Sequence, residues 1–286
     1  ALVLTGARPA GARMTPQAAR HRVVITVGRI PIAVRTADAA FVRMLQQRYD
    51  GFLESGPELP CEYEFDVELS PPAGVDPDAD VQVSRQGRSW VIERGDFRAE
   101  WDPHSRHGRI RQAPNPYSID SVLRIVHTLI LALRGGCLVH SASAVRGGKA
   151  YLFSGVSGAG KTTISRLAPR DVKVLTDEVS YVCKEPAGYR AYGTPFAGEL
   201  GRPGANVDAP LAAVFLLAQG RENRIDEVPP AQAARAMLGN TLFFAQDAAL
   251  VRGVFAGALD LVQSVPVRQL TFVPDARVWD LVGNAV

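Results

Sequence analysis

At 286 residues, with 47% hydrophobic and 21% charged side chains, the chain has the length and balance for a sizeable core and does not read as disordered or fibrous. A net charge of only +3, spread without a basic block, argues against nucleic-acid binding, and the longest apolar run, IVHTLILAL, falls short of the ~18 residues of a membrane span. Three cysteines, an odd number without CxxC spacing, fit a reducing, cytoplasmic setting.

The opening stretch, residues 1–20, reads as a leader outside the fold. From 21 to 115 the pattern is mostly period two (VVITV, PIAVR, CEYEFDVEL, VQVSR, SWVIER, FRAEW), which predicts a β-rich N-terminal part serving recognition or accessory roles. One amphipathic helix interrupts it over 37–53, with Phe41, Leu45, Tyr49 and Phe52 on a single face. The tract SPPAGVDPDAD reads as a loop. A helix capped by Ser118 or Asp120 runs to Arg134, apolar nearly all round, and closes at Gly135-Gly136. From 116 to 286 the elements are a hairpin, a glycine-rich loop with a short helix, a second hairpin, the strand AAVFLLA, two helices near 229–239 and 246–264, the strand VRQLTFV and a last helix.

The stretch SGVSGAGKTT contains GxxxxGK[ST], the loop whose backbone N–H groups and lysine cradle nucleotide phosphates. Gly155, Val156, Ser157, Gly158, Ala159, Gly160, Lys161, Thr162 and Thr163 are therefore the candidate nucleotide contacts. Lys161 reaches the terminal phosphates, and the Thr162 hydroxyl is a magnesium ligand. Only four lysines occur among 32 basic residues, and Lys161 is one of them. A phosphate-loop lysine acts as a compact point charge, a role that a planar guanidinium fills poorly.

Upstream, Gly147-Gly148 in RGGK predicts a two-residue type I′ turn. The register then pairs Val145 with Ala150 and Ser143 with Leu152, and carries His140 opposite Gly155 at the mouth of the loop. Downstream, VKVLTDEVSYV offers Asp177 and Glu178 at the end or bend of an apolar strand. Phosphoryl transfer needs a carboxylate near the metal and a group that takes the hydroxyl proton. Asp177 is the favoured base, with Glu178 or Glu199 helping to hold Mg2+. Neighbours in a regular strand face opposite ways, so both acids enter one site only if the strand bends. His104 and His107 read as a polar hairpin loop and QGRENRIDE as a solvated hairpin. Arg202, Arg221 and Arg224 are weaker candidates for phosphate contact.

Taken together, LVHSASAV, GVSGAGKTT, VLTDEV, GTPFAGE, APLAAVFLL and SVPVRQLTF resemble the HPr kinase/phosphorylase family, in its branch of HPr-kinase-related proteins that includes peptide-modifying kinases. The resemblance covers about 120–286 and the N-terminal part only loosely. It implies an α/β fold of α+β mixed-sheet type with a core like phosphoenolpyruvate carboxykinase, ATP and Mg2+ as cofactors, and a catalytic group of His140, Asp177 and Glu178 with Lys161. It also implies homo-oligomeric assembly. This sequence departs from the family in having Asp-Glu for its Asp-Asp pair, Thr162 for its loop serine, and only a faint glycine-rich signature in GELGRPGAN. The expected function is ATP-dependent phosphorylation of a hydroxyl on a serine of a peptide or small protein, such as a ribosomal precursor peptide. A kinase of the same build acting on a small metabolite, and an ATP-binding sensor without transfer, are the alternatives.

Overall fold

The computed structural model describes residues 21–54, 59–71 and 79–284, so the expected leader over 1–20 and most of the proline-rich tract lie outside the described residues. The fold is mixed α/β, built on two mixed sheets. The first contains β1 (His21–Val27), β2 (Ile30–Thr36), β3 (Leu53–Glu54), β4 (Tyr63–Leu69), β5 (Gln82–Gln86), β6 (Ser89–Arg94), β7 (Phe97–Asp102) and β8 (His107–Gln112). Their order is β3-β1-β2-β4-β8-β7-β6-β5, with β2–β4 and β4–β8 parallel. Helix α1 (Ala39–Arg48) is shorter than its periodicity predicts. The Asp38 side chain accepts from the Phe41 N–H at its start, and Tyr49 already leaves helical geometry at its end. Phe41, Leu45, Tyr49 and Phe52 are nonetheless all buried, as their spacing requires.

Helix α2 (Pro116–Arg134) leads into the second half. Its cap is Asn115 rather than Ser118 or Asp120. The Asn115 side chain accepts from the Tyr117 and Ser118 N–H groups, and Pro116 suits the first helical position because its missing donor is not needed there. Asp120, displaced into the helix, is buried and accepts from Arg48 and from the Tyr49 hydroxyl, which ties α2 to α1. Of the described helices, α2 is the one long and apolar enough to cross a membrane, and 67% of that apolar window is buried in the fold.

The second sheet contains β9 (Cys137–Arg146), β10 (Lys149–Ser154), β11 (Lys173–Thr176), β12 (Val179–Glu185), β13 (Gly188–Tyr192), β14 (Asp208–Gln219), β15 (Arg224–Glu227), β16 (Thr241–Leu242) and β17 (Val267–Phe272). Helices α3 (Lys161–Arg166), α4 (Pro230–Asn240), α5 (Ala248–Ser264) and α6 (Val278–Gly283) complete the chain. The β9–β10 hairpin has the expected register, from Arg146/Lys149 through Ser143/Leu152 to Ser141/Ser154, and both turn glycines have positive φ. β10, β14 and β17 run parallel, whereas β9, β12 and β13 are joined antiparallel. Because β14 pairs with β13 over 208–210 and with β10 from 211 onward, the pairings from β9 round to β10 close on themselves.

One apolar cluster joins the two halves. Ile25, Tyr49, Phe65 and Trp101 of the first share it with Ile119 and Val126 of α2 and with Tyr181 and Tyr192 of the second sheet. At the β1–β2 turn, Gly28 has φ +58°, and a Cβ there would sit 2.2 Å from the Tyr181 ring, so only glycine allows this approach. Beside it, Arg29 lies 5.5 Å over the Tyr192 ring and pairs with Glu185 and Asp208.

Buried in the same cluster, His127 meets the Tyr181 ring edge-on, 5.6 Å between centroids, and burial pulls its pKa down to about 3. The native state therefore holds it neutral, while the unfolded chain protonates it near pH 6.5. Its neutral-state stability is complete above pH 6.5 and is lost as the pH falls towards 3. Between pH 6.5 and 5 the wild type should lose about 1.6 kcal/mol more than His127→Phe, the slope approaching about 1.4 kcal/mol per pH unit once the unfolded histidine is fully protonated. Urea denaturation at the two pH values measures this, and equal losses for the two proteins would contradict it.

Candidate active site

The site forms beside the middle of β9. One edge of β9 carries β12 as far as His140, opposite Val179, and then β11 from Ser143 to Val145, while the other edge carries β10, which ends with Ser154 opposite Ser141. The bend between β11 and β12 and the end of β10 leave a crevice there, at strand ends of the kind where α/β sheets bind ligands. Two connections enter it: the glycine-rich loop from β10 to α3, and the bend from β11 to β12. A cavity of about 510 Å³ results, lined by His140, Ser157, Gly158, Gly160, Lys161, Thr162, Thr163, Asp177, Glu178 and Glu199, with Arg124 from α2.

The loop is held from outside. The Gln219 amide at the end of β14 donates to the Gly158 carbonyl at 2.8 Å. Gly160 has φ +111°, and a Cβ on it would meet the Phe272 ring of β17 at 2.6 Å. Gly155, Val156 and Ala159 do not line the cavity, and Val156 points outward, 77% exposed. Lys161 is 8% exposed, and its ammonium donates to the carbonyls of Gly155 at 2.9 Å and Val156 at 3.3 Å. Burial draws its pKa below the ordinary lysine value, while the charges of Glu178 and Glu199 pull it back up.

Both acids reach the cavity because the chain bends between β11 and β12. The Thr176 hydroxyl accepts from the N–H groups of Glu178 at 3.1 Å and Val179 at 3.2 Å, a side-chain turn that breaks strand alternation. The two carboxylates then differ. Asp177 is 3% exposed, and its oxygens accept one backbone N–H each, from Gly198 at 3.0 Å and Leu200 at 2.8 Å. Glu178 is a third exposed and lies 3.7 Å from the His140 Nδ1. Glu199 stands on the loop that Asp177 anchors and is exposed. His140 thus meets a carboxylate rather than Gly155, since the β9–β10 ladder ends at Ser154.

Arg202 lines a neighbouring cavity with Thr176 and Asp177. Arg224 is paired with Glu222 and Asp226 on the solvated hairpin, and His104 and His107 sit beside Asp102 and Asp66. Sequence reasoning missed Arg124, whose only signal is its place on the polar stripe of α2 with Asp120, Ser121, His127 and Thr128.

The cavity offers a lysine, a hydroxyl beside it, three carboxylates and a histidine, which together can hold an anion and move a proton. No curated protein matches the chain. The family model described as "SynChlorMet cassette protein ScmC" matches residues 114–286, a stretch that runs from α2 through the whole second sheet, and the chain belongs to that family.

Proposed function

We propose that the protein is an ATP-dependent kinase that transfers the γ-phosphate to a hydroxyl, on a serine of a peptide or small protein, using an HPr-kinase-like P-loop core in the cytoplasm. One observation carries this reading: Lys161 and Thr162 of a GxxxxGK[ST] loop share a single cavity with His140, Asp177, Glu178 and Glu199. A nucleotide-binding module without chemistry has no need of a carboxylate–histidine pair facing its phosphate loop.

The loop amides and Lys161 hold the phosphates. Mg2+ keeps several waters and takes one or two protein ligands beside phosphate oxygens. Thr162 with Glu199 would hold it, and when bound it supplies charge neutralisation for the phosphates. We assign the proton-accepting role to Glu178 in place of Asp177, because Glu178 is the more accessible and has His140 beside it. Asp177, with a backbone amide on each oxygen, positions the loop that bears Glu199. Catalysis then consists of positioning and charge compensation.

A peptide acceptor is supported by the outer face of the first sheet, where Arg35, Asp66, Arg98, Glu100, Arg109 and Arg111 line a concavity of about 770 Å³ suited to a polar chain. The test is transfer of label from γ-labelled ATP to peptides encoded by the genes adjacent to this one. Label on a serine of such a peptide is the expected result. ATP left intact with every peptide, despite binding, would favour the sensor reading instead.

A further inference from the structure

Arg124 lies on the polar stripe of α2, with Asp120, Ser121, His127 and Thr128 three and four residues away, and a guanidinium drawn in beside buried residues is costly unless something engages it. Its guanidinium lies 5.0 Å over the Phe196 ring, and its Nε is buried with no hydrogen-bond partner. One turn earlier on the same helix, Asp120 is already bonded to Arg48 and Tyr49. Glu178 and Glu199 line the same cavity, yet neither forms an ion pair with Arg124 among the described residues. The side chain is thus a cation on the cavity wall whose terminal nitrogens no carboxylate engages among the described residues.

Lys161, the other cation there, belongs to the loop, and its ammonium reaches back to the Gly155 and Val156 carbonyls. Three carboxylates share the cavity and oppose the entry of more negative charge. In phosphoryl transfer, charge spreads over the three equatorial oxygens of the moving group, and a planar guanidinium matches two oxygens at once where an ammonium cannot.

We propose that Arg124 is a catalytic residue supplied by α2, which donates to the equatorial oxygens of the phosphoryl group as it passes from a magnesium nucleoside triphosphate to the acceptor hydroxyl. The step breaks the bond between the γ-phosphorus and the β–γ bridging oxygen and forms the bond from phosphorus to the acceptor oxygen. The hydroxyl proton goes to the Glu178 carboxylate, and the nucleoside diphosphate leaves. This inference rests on the kinase reading above.

The probes are Mg-ADP alone and Mg-ADP with aluminium fluoride, a mimic of the transferring group, titrated by calorimetry into the full chain. Arg124→Ala should bind Mg-ADP within about threefold of wild type and lose the extra affinity for the aluminium fluoride complex by on the order of 10³-fold. Arg124→Lys, which keeps the charge and loses the fork, should fall between them. It also supplies the test if the alanine variant does not fold. Unchanged affinity for the aluminium fluoride complex in either variant would overturn the role of Arg124 and leave the kinase reading standing, as would equal weakening of both probes. A wild type that binds neither probe would overturn both.

Discussion

Lys161→Ala is expected to abolish phosphate transfer and to weaken Mg-ATP binding by at least about 100-fold. Removing one member of a buried charge pair typically costs 2–5 kcal/mol, because the partner charge is left uncompensated. The lysine is 8% exposed at the base of its loop, so water cannot replace it easily. The ligand-free protein should be affected far less, since burial already works against the ammonium and lowers its pKa. A readout that needs no acceptor follows from mass action. Ligand at 100 times its dissociation constant stabilises the wild type by about 2.7 kcal/mol, and the variant should show almost none of that gain. Equal rises in thermal midpoint with Mg-ATP in the two proteins would mean that the loop is not the nucleotide site.

Glu178→Gln should leave that thermal gain intact within a few-fold in affinity while lowering transfer by roughly 10²–10⁴, the usual range for losing a general base. The substitution keeps shape and removes the charge beside His140, so its effect belongs on the rate constant. Asp177→Asn provides the contrast. An asparagine can accept only one of the two N–H bonds that Gly198 and Leu200 now donate, and a buried donor left unpaired costs about 1–3 kcal/mol. Its main signature should be lower stability. If Asp177→Asn were fully stable and inactive while Glu178→Gln kept its rate, the roles of the two acids would be exchanged.

The parts legible in the sequence were those decided locally. The RGGK hairpin was readable because two adjacent glycines define the turn and the turn defines the register, which holds to Ser141/Ser154. Asp177 and Glu178 were readable as a pair, but not their shared access, which depends on the Thr176 hydroxyl bending the chain. The cap of α2 was misread because Ser118 and Asp120 are also good capping residues, and the choice fell to Asn115 followed by a proline. The contacts of His140 were less accessible still. They depend on β12 pairing with β9, which sets Val179 opposite His140 some forty positions away in the chain. The parallel pairs β2–β4 and β4–β8 are non-local for the same reason.

The shared apolar cluster bears on where this protein can be divided. The family match begins at residue 114, yet Tyr181, Tyr192 and the inner face of α2 complete their packing against residues from 23 to 110. The stretch over which relatives are comparable is therefore not a stretch that can be cut out. A fragment starting at 114 would turn a buried aromatic wall towards water and would lose the anchor from Arg48 and Tyr49 that steadies the helix bearing Arg124. The smallest piece able to keep the cavity in shape includes both sheets.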